Sequence, residues 1–168
     1  MSIKHIDPEN ITDNVFTAIG KNWMLVSAEK DDGVNPMTAS WGGLGVLWNK
    51  NVATIYIRPT RYTYELLEKN DRFILSFFGE HRRIELMRCG SVSGRDVDKV
   101  SDVGFNLIRS DKGVPYFDEA EITLICRKIY FSDLNPDNFL TKDAHIQYPE
   151  KDYHRMYIGE IIDCFIKE

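Results

Sequence analysis

The sequence has few cysteines and no long apolar run. Its three cysteines, Cys89, Cys126 and Cys164, are far apart and form no C-x-x-C pair, so no disulfide framework is indicated. We expect them to be reduced thiols in a cytoplasmic protein. No apolar stretch approaches the roughly 18 to 20 residues that span a bilayer, and the polar start is unlike a secretion signal. We therefore expect no association with a membrane.

Positive charge is also in deficit. The 168 residues include 21 Lys and Arg against 26 Asp and Glu, which gives a formal net charge of −5. Nucleic-acid binding usually needs a basic surface, so we expect no nucleic-acid partner, and any anion must be bound at a local site. The length and the absence of repeats or linkers predict one domain over residues 1–168.

Sequence motifs for metal binding, dinucleotide binding and nucleophilic catalysis are absent or incomplete. The four histidines show no paired metal-ligand spacing, and no G-x-S-x-G motif occurs. GLGVLW at 43–48 lacks the last glycine of the dinucleotide fingerprint and is followed by a turn, so a Rossmann fold is excluded. A Cys–His pair of Cys89 and His154 is one hypothesis, and a lone buried thiol is its simpler alternative.

Most of the secondary-structure signals in the sequence are those of β-strands. VATIYIR is the clearest strand, because alternation places Ile55 and Ile57 on one face and Thr54 and Tyr56 on the other. The apolar segment RFILSFF predicts an interior strand. Strands are predicted over residues 23–30, 36–48, 52–58, 72–78, 121–134 and 155–168.

Helices are predicted only after the third and fourth of these strands. One covers residues 60–70 with Thr60 as its N-cap, and another covers residues 81–89. Ser93 and Asp96 have the spacing of a capping box, which predicts a further helical turn starting there. Because the strands are joined mainly by turns, the sequence predicts a mainly β fold, an antiparallel sheet curled into a barrel with a few short helices.

The motif RPTRYT, residues 58–63, places two arginines and two threonines at a strand-to-helix junction. Free backbone N–H groups at a helix start, hydroxyl donors and guanidinium groups all complement a phosphate. The motif therefore indicates a phosphate site without a Walker loop. The alternative is that Arg58 and Arg61 are ordinary surface charges and that Thr60 only caps the helix.

Small and hydroxyl residues fill NPMTASW, residues 35–41, on a strand that its apolar neighbours should partly bury. Small side chains allow the edge of a planar ligand to approach the backbone and to use its N–H and C=O groups. The alternative is a strand packed against a large neighbour such as Trp23.

Taken in order, these motifs resemble the flavin reductase-like, FMN-binding split-barrel family, and within it the flavoredoxin branch. The likeness runs from about residue 10 to the end and is carried by MTASW, RPTRYT, FILSFF, CGSVSGRDVDK, GVPYFDEAEITLICRKIY and HRMYIGEI. It implies a homodimeric antiparallel split barrel of the Greek-key type, with FMN as cofactor near the dimer interface.

The resemblance also implies a set of cofactor-binding residues. The flavin ring would lie along Met37, Thr38, Ala39, Ser40 and Trp41. The phosphate end would be surrounded by Arg58, Thr60, Tyr62, Thr63, Ser93, Gly94 and Lys99. His154 falls where many members carry a histidine near the ring or nicotinamide, although its spacing to the following motif differs. No other side chain is a catalytic candidate, because the flavin N5 would carry the chemistry.

Three functional hypotheses follow from the resemblance. The first is an NAD(P)H-dependent oxidoreductase in which bound FMN accepts hydride and passes electrons to free flavin, a ferric complex or a protein partner. The second is a non-enzymatic FMN electron-transfer protein reduced by a partner protein. The third is a split-barrel module that has lost its flavin. No motif distinguishes NADPH from NADH.

Overall fold

Strands dominate the fold, as the β-branched and aromatic segments predict. The computed structural model describes residues 2–168. The strands are β1 Ile3–His5, β2 Met24–Lys30, β3 Gly33–Ala39, β4 Gly42–Leu47, β5 Lys50–Ile57, β6 Arg72–Phe77, β7 Leu107–Arg109, β8 Pro115–Phe117, β9 Ile122–Asp133 and β10 Arg155–Lys167. The helices are α1 Val15–Gly20, α2 Tyr62–Lys69, α3 Arg83–Ser91, α4 Lys99–Val103 and α5 Lys142–Ile146. None of these helices has the length and apolarity that a membrane-spanning helix requires.

One antiparallel sheet contains most of the strands, in the order β3-β2-β6-β9-β10-β5-β4, with β1 added to β10. β7 and β8 form a separate pair. The long strands β9 and β10 pair with two register irregularities, one of them at Gly159. A Cβ on Gly159 would lie 2.6 Å from the Phe73 ring, so a side chain there would collide with the core. The antiparallel, mainly β fold is confirmed.

The sheet curls around an apolar cluster to which strands distant in the sheet order contribute. Met24 of β2 and Ile55 of β5 both belong to it, together with Tyr157 of β10. Strands from both sides of the sheet order share one core only if the sheet bends toward closure. A second cluster lies on the other face of β6, where Ile74 packs with Leu86 of α3. β6 is therefore buried on both faces and pairs with β2 and β9, which confirms the predicted interior strand.

The predicted strand over residues 36–48 is wrong, because two strands occupy this stretch. β3 ends at Ala39 and β4 begins at Gly42. A Cβ on Gly42 would come within 2.8 Å of the Thr54 carbonyl oxygen, so the glycine allows the chain to bend closely against β5. The break leaves Ser40 and Trp41 outside the ladder, at the end of β3. The predicted alternation in β5 is confirmed, since Ile55 and Ile57 are fully buried.

The predicted helix start at Thr60 is also wrong. α2 begins at Tyr62 with Arg61 in the N-cap position and without a side-chain capping bond. Thr60 instead lies in a turn, closed by the Arg61 N–H donating to the Arg58 carbonyl oxygen at 3.1 Å. Ser93 does begin a single turn, because its carbonyl oxygen accepts from the N–H groups of Asp96 and Val97, both at 3.1 Å, although no longer helix continues from it.

The next helix, α4, starts only at Lys99. The carboxylate of Asp98 accepts from the N–H groups of Val100 and Ser101 and so caps the helix. The turn at residues 93–97 therefore precedes α4 as a separate element, and its Arg95 side chain pairs with Glu65 of α2.

Candidate functional site

Two neighbouring cavities lie where β3, the start of α2 and the end of α3 meet. The first, here called the α2 cavity, has a volume of about 210 Å³ and is lined by Met37, Thr60, Arg61, Tyr62, Thr63, Ser91, Val92, Ser93, Gly94, Arg95 and Lys99. The second, here called the Trp41 cavity, has a volume of about 130 Å³ and is lined by Met37, Thr38, Ala39, Ser40, Trp41, Tyr56, Arg58, Arg61 and His154. Met37 and Arg61 line both cavities.

Every site residue named from the sequence lines one of these two cavities. The motifs RPTRYT and SGRDVDK meet at the α2 cavity, while MTASW and His154 meet at the Trp41 cavity. Residues separated by more than a hundred positions are thus brought together. Arg61 belongs to the RPTRYT motif but not to the residue set that the resemblance implies, and Arg95 was not assigned to the site from the sequence.

Lys99 lies at the buried side of the α2 cavity and is only 4% exposed. Its ammonium donates to the Pro36 carbonyl oxygen at 2.9 Å and to the Cys89 carbonyl oxygen at 2.7 Å. Burial, together with the nearby Arg61 guanidinium, lowers the pKa of Lys99. No carboxylate forms a salt bridge with Lys99 within residues 2–168. An ammonium has three donors, so one N–H and the whole charge remain for a group in the cavity.

A buried side-chain pair joins β3 to α2 beside Lys99. The amide nitrogen of Asn35 donates to the Thr63 hydroxyl oxygen at 2.9 Å. This bond leaves the Thr63 hydroxyl proton available to donate. A Cβ on Gly94 would lie 1.7 Å from the other polar atom of the same amide, Asn35 Oδ1, so only glycine lets the turn at residues 93–97 approach this closely.

Two arginines line the α2 cavity and differ in their partners. Arg61 donates to the Gly90 carbonyl oxygen at 3.3 Å and, like Lys99, forms no salt bridge among residues 2–168. Arg95 differs, because it is paired with the Glu65 carboxylate. Its guanidinium also lies over the Tyr62 ring, 5.2 Å from the centroid. The cavity therefore contains two cations without a carboxylate partner and one that is neutralised.

Arg58 lies apart from this group, at the Trp41 cavity. Its guanidinium donates to the Asp152 carboxylate at 2.7 Å and to the Gln147 carbonyl oxygen at 2.9 Å. It also lies over the Tyr148 ring, 4.9 Å from the centroid. These partners belong to the connection between β9 and β10, residues 134–154. The structure thus shows Arg58 fastening that connection at the edge of the Trp41 cavity, and its predicted contact with a phosphate stays a prediction.

His154 and Trp41 form an aromatic wall of the Trp41 cavity, with their ring centroids 5.2 Å apart. His154 Nδ1 is 2.7 Å from the Tyr148 hydroxyl oxygen. Burial and the nearby Arg58 guanidinium lower the pKa of His154 to about 4, so the ring is neutral at neutral pH. In the tautomer in which the Tyr148 hydroxyl donates to Nδ1, the imidazole proton is on Nε2.

The hypothesis of a Cys–His pair is not supported. Cys89 is fully buried in the cluster that also contains Leu86, and it does not line the Trp41 cavity with His154. Burial raises the pKa of the Cys89 thiol to about 11. The thiol is therefore protonated at neutral pH and is a poor nucleophile.

A larger cavity, of about 630 Å³, lies elsewhere and contains none of the residues singled out from the sequence. Its charged groups are mixed, with carboxylates from Asp13, Glu119 and Glu121 beside the cations of Arg82 and Lys167. Carboxylates repel a phosphate. The larger cavity is therefore not the better anion site. The α2 cavity matches a phosphate better, because it contains cations that have no carboxylate partner.

Comparisons with known proteins identify the fold. The sequence model of a family described as flavin reductase like domain matches residues 16–168. No curated protein sequence matched the chain. Among solved structures, an FMN-binding domain of a flavin reductases-like enzyme from Shewanella baltica aligns with a TM-score of 0.71 at 20% identity, covering 98% of this chain and 77% of that one.

Two further structures are similar. Flavoredoxin from Methanosarcina acetivorans aligns with a TM-score of 0.68 at 24% identity, over 97% of this chain and 77% of that one. An NADH:FAD oxidoreductase from Streptomyces globisporus gives a TM-score of 0.64 at 14% identity, over 85% of this chain and 74% of that one. At these identities the likeness establishes the fold, and the predicted antiparallel split barrel is confirmed.

The depressed pKa of His154 predicts a pH dependence of stability. Its pKa is about 4 in the folded protein, against roughly 6.5 for an unperturbed histidine. Between these values the unfolded state binds more protons, so the free energy of unfolding falls as pH drops from 6.5 to 4, by roughly 3 kcal/mol from this residue. Urea unfolding at a series of pH values measures the slope.

The matched variants are His154→Gln, which should remove this slope, and the exposed His145→Gln, which should keep it. A histidine-selective NMR titration of the folded protein gives the second readout. A His154 imidazole that protonates near pH 6.5 would contradict the burial argument.

Proposed function

Because this chain belongs to the flavin reductase like family, we propose that it is an FMN-binding oxidoreductase that takes hydride from NAD(P)H. Its electrons would pass to free flavin, a ferric complex or a protein partner. The observation that carries the flavin assignment is Lys99, a buried ammonium whose nitrogen has two carbonyl partners and no carboxylate partner. FMN supplies an anion of the right charge at one end and a planar ring at the other.

The α2 cavity fits the phosphate end of FMN. Burying an ammonium without a counter-charge is costly, and a bound phosphate dianion would offset that cost. The free N–H of Lys99, the Arg61 guanidinium and the hydroxyls of Thr60, Thr63 and Ser93 are the donors that would hold it. Backbone N–H groups in the first turn of α2 add to the same field.

The Trp41 cavity fits the ring end. Small side chains at Ala39 and Ser40 leave the backbone open, and Trp41 and His154 supply an aromatic wall. Thr38 is fixed beneath by donating to the Leu86 carbonyl oxygen at 2.5 Å, which joins β3 to α3. When bound, the flavin ring supplies the redox chemistry, and these residues orient it and limit the access of water.

His154 would act at the ring as a neutral hydrogen-bond donor. The Tyr148 hydroxyl occupies Nδ1, which leaves Nε2–H as the free donor on this ring. A pKa of about 4 means that the ring gains no second proton in the physiological range, so no positive charge develops there. His154 would therefore position a reactant and would not exchange protons with it.

A second copy of the chain is the proposed partner at the β4 edge of the sheet. Val46 and Trp48 beside β4 are 73% and 61% exposed, and Tyr130 of β9 packs edge-on against the Trp48 ring at 6.4 Å. Gly43 and Gly45 on β4 have open space where a Cβ would lie. An apolar patch on an open strand edge is characteristic of a surface that another chain covers.

Sedimentation velocity at micromolar concentration should show a dimer. Trp48→Asp should shift the distribution to monomer, since a charge would be buried in the apolar contact. Lys142→Glu in α5 changes an exposed charge and serves as the control that should remain dimeric. A wild-type chain that sediments as a monomer would contradict the proposed contact.

The phosphate assignment predicts a difference between FMN and riboflavin, which lacks the phosphate. Arg61→Gln and Lys99→Met should each weaken FMN binding by roughly 10- to 150-fold, the range of a lost charge-assisted hydrogen bond of about 1.5 to 3 kcal/mol. Riboflavin binding should change little. Isothermal titration calorimetry with both ligands measures this.

Arg127→Gln is the matched control, because it removes a positive charge on β9 that is paired with Glu160 and lies outside both cavities. Its FMN affinity should equal that of the wild type. If Arg61→Gln weakened FMN and riboflavin by the same factor, the cation would be acting on the ring or on the fold and not on a phosphate.

Anaerobic mixing with NADH and NADPH tests the enzymatic assignment. Rapid bleaching of the bound flavin is expected with at least one of them, because the open side of the Trp41 cavity, where Trp41 is 45% exposed, gives a hydride donor access. Bleaching by a reducing protein alone would instead identify a non-enzymatic electron carrier. A protein that neither contains nor takes up FMN would be a module without flavin.

A further inference from the structure

We infer that the Arg95–Glu65 ion pair closes the solvent side of the α2 cavity and makes the site selective for the flavin mononucleotide over the flavin dinucleotide. The inference rests on the proposed function, because it takes the α2 cavity as the phosphate end of a flavin site. It assigns a specificity role to two residues that the phosphate assignment leaves unused.

The Arg95 side chain connects two separate walls of the cavity. Arg95 belongs to the turn at residues 93–97, and Glu65 belongs to the first turn of α2. The guanidinium is paired with the Glu65 carboxylate and also donates to the Thr60 carbonyl oxygen at 3.5 Å. The turn itself is held by the Arg95 N–H donating to the Ser93 hydroxyl oxygen at 3.2 Å. The side chain therefore bridges the turn and α2.

Exposure shows on which side of the cavity the bridge lies. Lys99 and Thr63 are 4% and 1% exposed, so they form the buried floor. Arg95 also lines the cavity but its side chain is 42% exposed, and that of its partner Glu65, outside the lining, is 47% exposed, so the ion pair lies on the solvent side. A phosphate held at Lys99 would thus have the ion pair between itself and solvent.

A dinucleotide must continue outward from that phosphate with a second phosphate and an adenosine. To extend from the cavity toward solvent, the dinucleotide would have to displace Arg95 from Glu65. Displacement leaves the Glu65 carboxylate facing the second phosphate, and two negative groups repel each other. FMN ends at its phosphate and requires no such displacement.

The Tyr62 ring, which lines the cavity, is not free to stack with an adenine. Tyr62 already has the Arg95 guanidinium 5.2 Å and the Lys30 ammonium 5.3 Å from its centroid. A Cβ on Gly94 would lie 3.0 Å from Tyr62 Cδ1, so the turn is also packed against this ring. An adenine could therefore stack on Tyr62 only after at least one of these contacts had moved.

The test is the ratio of the FMN and FAD dissociation constants, measured by calorimetry in wild type, Arg95→Ala and Glu65→Gln. Wild type should prefer FMN by about tenfold or more, the equivalent of roughly 1.4 kcal/mol. Arg95→Ala should bring the ratio close to one by strengthening FAD binding, while FMN affinity changes less than about threefold, as expected for an exposed ion pair. Glu65→Gln, which keeps the shape of the side chain, should move the ratio in the same direction.

Arg127→Ala, which breaks the exposed pair with Glu160, is the control and should keep the wild-type ratio. Equal affinity of wild type for FMN and FAD would overturn the selectivity inference and leave the flavin assignment standing. A large loss of FMN affinity in Arg95→Ala, with FAD unchanged, would also overturn it, because Arg95 would then be a direct phosphate ligand. A wild-type protein that binds neither flavin would overturn the inference together with the proposed function.

Discussion

The buried ammonium of Lys99 is the constraint on which the rest of the site depends. Lys99 is the first residue of α4, yet its nitrogen reaches the carbonyl oxygens of Pro36 in β3 and of Cys89 in α3. These bonds tie three elements together at the floor of one cavity. They satisfy two of the N–H donors of Lys99 but leave its positive charge without a counter-charge. The interaction that holds these elements together therefore also favours the binding of an anion at the same place.

The residues around Lys99 have the positions and charges that the binding of an anion there requires. Asn35 and Gly94 allow the turn at residues 93–97 to pack closely, and Ser93 and Thr63 line the same cavity. Arg61 adds a second cation without a carboxylate partner, whereas Arg95 is neutralised by Glu65 on the solvent side. In our proposal the inner cations bind the flavin phosphate, and the outer pair limits how far a ligand can extend beyond that phosphate.

The other end of the site depends on the long connection between β9 and β10. Arg58 fastens this connection through Asp152, and Tyr148 within it hydrogen-bonds to His154. Desolvation and the Arg58 charge both disfavour a second positive charge, so His154 remains neutral. The site thus concentrates positive charge at the α2 cavity, where Lys99 and Arg61 lie, while at the ring end His154 is neutral and the charge of Arg58 is paired with Asp152.

Local patterns were sufficient to predict most of this arrangement. Alternation in β5 and the two-sided apolar run in β6 predicted their strands, and the motifs around Met37 and Thr60 predicted a ligand site, whereas Ser93, Gly94 and Lys99 were added only through the family resemblance. Contacts between segments that are distant in the sequence could not be predicted from local patterns. The Arg58–Asp152 pair joins residues 94 positions apart. The break at Ser40 and Trp41 likewise depends on how closely Gly42 approaches β5.

Phosphorus NMR of the FMN complex tests the central claim most directly. The second pKa of a phosphate monoester is roughly 6, and the nearby charges of Lys99 and Arg61 should lower it. The account predicts a bound-phosphate resonance that stays at its dianion position from pH 8 to pH 5. A resonance that titrates near pH 6, like that of free FMN, would contradict a phosphate held against the buried ammonium.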